Sequence, residues 1–120
     1  MARVMIAEDA PLTRLFLRDL LHIGKHEVVA IAADGDETIE KFKAARPEML
    51  LLDLAMPKKD GLTVLKKIMQ IDPKAKVILI TASGNLKTIN ECIAAGAVTY
   101  VLKPFKFEDL LCTIRATLSQ

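Results

Sequence analysis

Met49-Leu-Leu-Leu-Asp53-Leu-Ala-Met-Pro57-Lys-Lys-Asp-Gly61 is an apolar run of strand length that delivers one carboxylate to its end and then turns. A run with no polar side is the pattern of a strand buried on both faces, and the segment from Pro57 to Gly61 carries turn chemistry. Such a strand belongs to a sheet covered by helices on both sides. The flanking chain has to supply those helices, and Asp53 gains meaning only from what other segments aim at it.

Upstream, residues 28–32 (Val-Val-Ala-Ile-Ala) form a second apolar run. The turn Asp34-Gly-Asp-Glu follows, then a helical pattern with Ile39, Phe42 and the stem of Lys43 inward, which Arg46-Pro47 stops. Further back, Arg3-Val-Met-Ile-Ala7 ends abruptly in Glu8-Asp9. A helix is predicted from about Pro11 to Ile23, with Leu12, Leu15, Phe16, Leu20 and Ile23 on its apolar face and Gly24 at its C-terminal end. His22 and His26 read as helix-end and turn residues that favour the helix terminus electrostatically.

Downstream, Leu62, Leu65, Ile68 and Met69 mark a helix closed by Asp72-Pro73, and Lys76-Val-Ile-Leu-Ile-Thr81 is a fourth strand. A weaker helix spans 85–95, with Gly96 as its terminal left-handed residue. A fifth strand, 99–103, is broken by Pro104, and Phe107, Leu110, Leu111, Ile114 and Leu118 give a last amphipathic helix. Strands alternating with helices indicate an α/β domain with a mainly parallel sheet, because parallel neighbours need helix-sized crossovers.

At 120 residues the chain is the size of one domain, 1–120, and its formal charge of +2 suggests neither a nucleic-acid surface nor a polybasic membrane anchor. No apolar run approaches the roughly 20 residues of a membrane helix, and Met1-Ala-Arg-Val lacks signal-peptide character, so a cytoplasmic location is expected. Cys92 and Cys112 fall in helical patterns with no His at metal-ligand spacing, which supports neither zinc nor a disulfide.

In open α/β sheets ligands bind outside the carboxyl ends of the strands. Strand one ends in Glu8-Asp9, strand three in Asp53, strand four in Thr81 and strand five in Lys103. Three carboxylates in one cleft repel, at about 1 kcal/mol for a pair about 4 Å apart even in water. Lys103 offsets one charge, and an oxygen-rich set free of His and Cys suits a hard divalent cation such as Mg²⁺. Asp53 could then act as an in-line nucleophile toward phosphorus, with Thr81 and Lys103 on the transferred oxygens.

These motifs together resemble the response-regulator receiver domains of two-component signalling, and among them the single-domain, CheY-like chemotaxis regulators. The resemblance covers the whole chain and rests on Glu8-Asp9, Asp53 with Met56-Pro57 and Gly61, Thr81-Ala82, and Lys103-Pro104-Phe105 with Tyr100 before it. It implies a flavodoxin-like, doubly wound sheet of order 2-1-3-4-5 with five helices over both faces. It also implies that Asp53 accepts a phosphoryl group from a sensor histidine kinase, that Asp9, Asp53 and the Ala55 carbonyl bind Mg²⁺, and that Glu8 holds it chiefly through water. Lys103 and the Thr81 hydroxyl would contact the phosphoryl group, Thr81 would move inward, and Tyr100 would fill the vacated space. The helix four, strand five and helix five surface would change for a downstream protein such as a motor-switch or relay protein. A cis Lys103-Pro104 bond is expected on the same ground.

The Glu-Asp pair stands where many members have Asp-Asp, and Ala55 and Ser83 are small where family side chains control the access of water. Self-dephosphorylation is therefore expected not to be especially fast. The chain would not be a turnover enzyme on an external substrate, since an aspartyl phosphatase commonly carries a second Asp where Ala55 stands. The competing readings are the receiver half of a transcriptional regulator and a phosphorelay intermediate. In each, this domain contacts neither membrane nor nucleic acid directly; it is expected to be mostly monomeric, with phosphorylation-dependent dimerisation left open.

Overall fold

Strand β3 (Met49–Asp53) lies at the centre of a five-stranded, wholly parallel sheet of order β2-β1-β3-β4-β5, as expected. Its neighbours are β1 (Arg3–Ala7) and β4 (Lys76–Thr81), and β2 (Glu27–Ala32) and β5 (Thr99–Leu102) form the edges. The computed structural model describes residues 2–82 and 84–120; Ser83, one of the two positions tied above to phosphate lifetime, lies outside them.

Alternation along each strand sends successive side chains to opposite faces. Leu50 and Leu52 join Met5, Val77 and Leu79 under helices α2 (Gly35–Ala45), α3 (Gly61–Ile71) and α4 (Leu86–Ala94). Met49 and Leu51 join Val4, Ile6, Ile78 and Ile80 under α1 (Pro11–Ile23) and α5 (Phe107–Leu118). All five β3 residues are buried, which accounts for the unbroken apolar run.

The helices begin and stop for local reasons. The Asp34, Asp60 and Asn85 side chains accept from backbone N–H groups of the first turns of α2, α3 and α4. Pro11 opens α1, where its missing N–H costs nothing. Gly96, with φ 124°, follows α4 in a conformation that L side chains rarely adopt, as its position predicted.

Several local expectations change. Helix α1 buries Leu17, Leu20 and Leu21, whereas Leu12, Leu15, Phe16 and Ile23 are exposed. The predicted face is rotated because α1 carries more apolar residues than its contact with the sheet can cover. Lys43 points to solvent. After α1 it is Lys25, φ 64°, that adopts the left-handed conformation; Gly24 has φ −75° and packs against Leu111, whose Cδ2 would lie 2.8 Å from a Cβ placed there. The Lys103-Pro104 bond is cis, and Lys103 lies one residue beyond β5.

His26 is a buried side chain rather than a surface turn residue: its Nδ1 accepts from the Ala2 N–H at 3.2 Å. Burial first, then nearby positive charge including Arg115, lowers its pKa below the ordinary 6.5. The native state thus binds fewer protons at this site than the unfolded chain. His26 should contribute stability above pH 6.5 that is lost as pH falls through the lowered value, on the scale of about 1 kcal/mol for one hydrogen bond. Melting the wild type and His26→Phe at pH 7.5 and 5.5 checks this, with the larger acid loss expected in the wild type; equal losses would count against it.

Candidate functional site

The parallel register sets the positions of the polar strand ends. Ala7 lies opposite Leu52 and Asp53 opposite Ile80, while Thr81 pairs with Leu102. Glu8 and Asp53 therefore leave the sheet side by side, and Lys103 N–H donates to the Thr81 carbonyl at 2.8 Å. Alternation then divides the set. Glu8, Asp53 and Lys103 continue the rows facing α1 and α5, whereas Thr81 continues Val77 and Leu79 toward α4.

Glu8, Asp9 and Asp53 each offer a carboxylate oxygen, and these oxygens lie within 4.8 Å of one another. Glu8 and Asp53 are buried and Asp9 is exposed. Lys103 Nζ sits 2.8 Å from Glu8 Oε1 and 3.5 Å from Asp53 Oδ2. Burial on its own would lower the Lys103 pKa, but the Glu8 carboxylate beside it and the Asp53 charge outweigh that and raise it.

The arrangement fits a hard cation. Three carboxylates face one ammonium, and among the described residues no donor is aligned on the buried Glu8 Oε1. Lys103 lies 2.8 Å from that atom but offsets only one of the three charges, and an oxygen-seeking cation suits the remaining donor set. Asp53 Oδ1 accepts from the Ala55 N–H at 3.0 Å, which fixes the carboxylate against the loop that follows.

Thr81 is buried. Beside it is a cavity of about 200 Å³, lined by Leu54, Ala55, Thr81, Asn85, Thr88 and Ile89. Tyr100 pairs with Leu79 on the edge strand and is 38% exposed, so its ring lies partly open next to the row that ends in Thr81. On the opposite side, Leu12, Phe16, Pro104 and Phe105 line an open groove of about 490 Å³ that reaches Lys103. The Phe16 and Phe105 rings are 5.7 Å apart in that wall.

Glu8, Asp9, Asp53, Ala55, Thr81 and Lys103 all lie at this one edge of the sheet, and Tyr100 stands further back, inside β5 opposite Leu79. Arg14 was missed: its guanidinium donates to the backbone carbonyls of Glu8 and Asp9, both at 3.0 Å, and so holds the acidic loop on α1. An Arg one turn inside the first helix, five residues after an acidic pair, was the available signal. The lysines of the β3–α3 loop were also passed over, although Lys58 and Lys59 pair with Asp34 and Asp36.

Comparison with known proteins agrees with this geometry. The response regulator receiver domain family matches residues 4–115. The chain is 38% identical over 117 residues to the chemotaxis protein CheY of Bacillus subtilis, covering 98% of each chain. It is 38% identical over 104 residues to that of Thermotoga maritima, covering 87% of each. A chain in the CheX-CheY-BeF3-Mg²⁺ complex from Borrelia burgdorferi superimposes with a TM-score of 0.94 at 31% identity, over 98% of this chain and 90% of that one. An acidic cleft built on three strand ends, a lysine across it and a threonine facing the other way are thus parts of a fold shared over nearly the whole chain, which belongs to the response-regulator receiver domains of two-component signalling.

Proposed function

We propose that the chain is a phosphorylatable switch in which Asp53 accepts a phosphoryl group from the phosphohistidine of a sensor histidine kinase. The observation that carries this reading is the cluster of Glu8, Asp9 and Asp53 around a single ammonium at the carboxyl edge of the sheet. In the transfer an Asp53 carboxylate oxygen forms a bond to phosphorus as the phosphorus–nitrogen bond to the donor imidazole breaks, and the imidazole leaves to be protonated. Lys103, within reach of both buried carboxylates, neutralises charge on the transferred oxygens. Glu8, Asp9, Asp53 and the Ala55 carbonyl would hold Mg²⁺, which when bound supplies further neutralisation of those oxygens.

The acyl phosphate places roughly −1.5 to −2 charges beside Thr81. The Thr81 hydroxyl responds by turning to the new acceptors, and Tyr100 and the α4–β5–α5 surface follow. A protein partner reads that surface, with chemotaxis as the pathway that the relatives favour. The protein works in the cytoplasm as a switch and turns over no external substrate. Among the described residues no helix is long and apolar enough to cross a membrane, in keeping with that location.

Incubation with Mg²⁺ and a small acyl phosphate, followed by peptide mapping, tests the reading. A phosphoryl group is expected on Asp53 and nowhere else; no modification, or modification at another residue, would overturn it.

The groove by Lys103 is the approach for the donor protein. Leu12 is 81% exposed, so its loss removes little of the fold while removing apolar surface from the groove. Leu12→Asp should slow transfer from a phosphohistidine protein about tenfold, or about 1.4 kcal/mol, just under the roughly 1.5–3 kcal/mol of a fully buried leucine, and leave the rate with a small acyl phosphate unchanged. Equal slowing with both donors, or none, would rule out the groove.

A further inference from the structure

The β3–α3 loop is tied to the start of α2 at three consecutive positions on each side. Gly35 N–H donates to the Pro57 carbonyl at 3.2 Å, Lys58 Nζ lies 3.5 Å from Asp34 Oδ2, and Lys59 Nζ lies 2.7 Å from Asp36 Oδ1. The fit is close: a Cβ on Gly35 would lie 2.7 Å from Lys59 Cβ and 3.2 Å from Lys59 N. Lys58 has φ 75°, a conformation unfavourable for a residue with a side chain, so contacts around it must hold it there.

Asp34 does two jobs. Its Oδ1 accepts the Glu37 N–H at 2.8 Å as the α2 cap, while Oδ2 faces Lys58. The Glu37 N–H, with the Lys58 charge adding to it, holds this carboxyl below its ordinary range, so it remains an anion throughout neutral pH.

The other end of the same loop is fixed on α3, where the Asp60 side chain accepts the Thr63 N–H and Gly61 packs on Leu54. Ala55, two residues after Asp53, lies between Leu54, on which Gly61 packs, and the tied residues Pro57, Lys58 and Lys59. A loop that must present a carbonyl to a cation loses affinity with every alternative conformation it can visit.

We infer that the Lys58–Asp34 and Lys59–Asp36 pairs form a clasp that holds the β3–α3 loop ready for the cation, which makes these four side chains positioning residues for Mg²⁺ uptake. The inference rests on the switch reading above, because it assumes that the acidic cluster takes Mg²⁺.

The sign of one measurement separates the clasp from a simple field effect. Lys58→Gln with Lys59→Gln removes two positive charges close to a cation site. Acting through the field alone, that change must tighten Mg²⁺ binding. Acting through the clasp, it loosens the loop and weakens binding, by roughly threefold to tenfold for two partly exposed pairs.

Titration calorimetry with MgCl₂ on the wild type and this double variant reads the sign. Backbone hydrogen exchange over residues 54–60 without metal reads the loop itself and is expected to speed up in the variant. Reversing the outer pair alone, Asp36→Lys with Lys59→Asp, leaves the Asp34 cap in place and should keep both quantities near wild type. Tighter or unchanged Mg²⁺ binding in the double variant, or unchanged exchange, would overturn the clasp. A wild type that takes up no Mg²⁺ would overturn the metal reading itself, and the clasp with it.

Discussion

Asp53→Asn should abolish acyl-phosphate formation and, without Mg²⁺, make the protein more stable. The side chain is almost wholly buried and shares its cleft with Glu8 and Asp9, while Lys103 is the cation paired with it. Neutralising it removes two repulsions and one attraction. Each such pair about 4 Å apart is worth about 1 kcal/mol in water and about 4 kcal/mol at an effective dielectric of 20, so a net gain of about 1–3 kcal/mol is expected. Asparagine keeps an oxygen to accept the Ala55 N–H, which limits any structural loss.

Addition of Mg²⁺ should reverse the ranking, because a ligand stabilises the form that binds it more tightly. Thermal melts of both proteins with and without Mg²⁺, together with intact-mass measurement after exposure to an acyl phosphate, check these outcomes. A variant that still takes up phosphoryl, or that melts below the wild type in the absence of metal, would count against the charge argument.

Gly61→Ala should cost about 1–3 kcal/mol, the range for forcing extra volume into a packed site. A Cβ at Gly61 would collide with Leu54 Cδ2 and come within 3.0 Å of Leu54 Cα. A side-chain tip can rotate away, but a backbone atom one residue after Asp53 cannot move without disturbing the acceptor. The variant should therefore melt earlier and also phosphorylate more slowly. Gly84→Ala serves as control, since a Cβ there meets nothing within 4 Å. Similar melting shifts for the two variants would show that packing on Leu54 does not matter.

Much of this was legible in the chain. Strands written as apolar runs on both faces, with helix-sized intervals between them, left few options besides a covered parallel sheet, and polar residues ending those runs placed Glu8, Asp9, Asp53, Thr81 and Lys103 at one edge. The strand order came from family resemblance, since alternation alone permits other windings. The face of α1 was misread because Leu12 and Phe16 are apolar yet line an open groove instead of the core. His26 and the clasp were illegible for another reason. Their partners, Ala2, Asp34 and Asp36, lie more than twenty residues away in the chain, and only the folded sheet brings them together.

The double burial of β3 has a last consequence, for error. In a sheet with one wet face, a slip of one residue exposes leucines to water and is rejected at once. Met49-Leu-Leu-Leu52 would look equally apolar after such a slip, so the hydrophobic pattern does little to fix this strand lengthwise. The ionic end fixes it instead: shifted by one, Asp53 would turn away from Lys103 and toward the α2–α4 side. The charges that equip the cleft for chemistry thus also act as the stop that tells the central strand where to halt, and an insertion in β3 should yield a folded but silent protein.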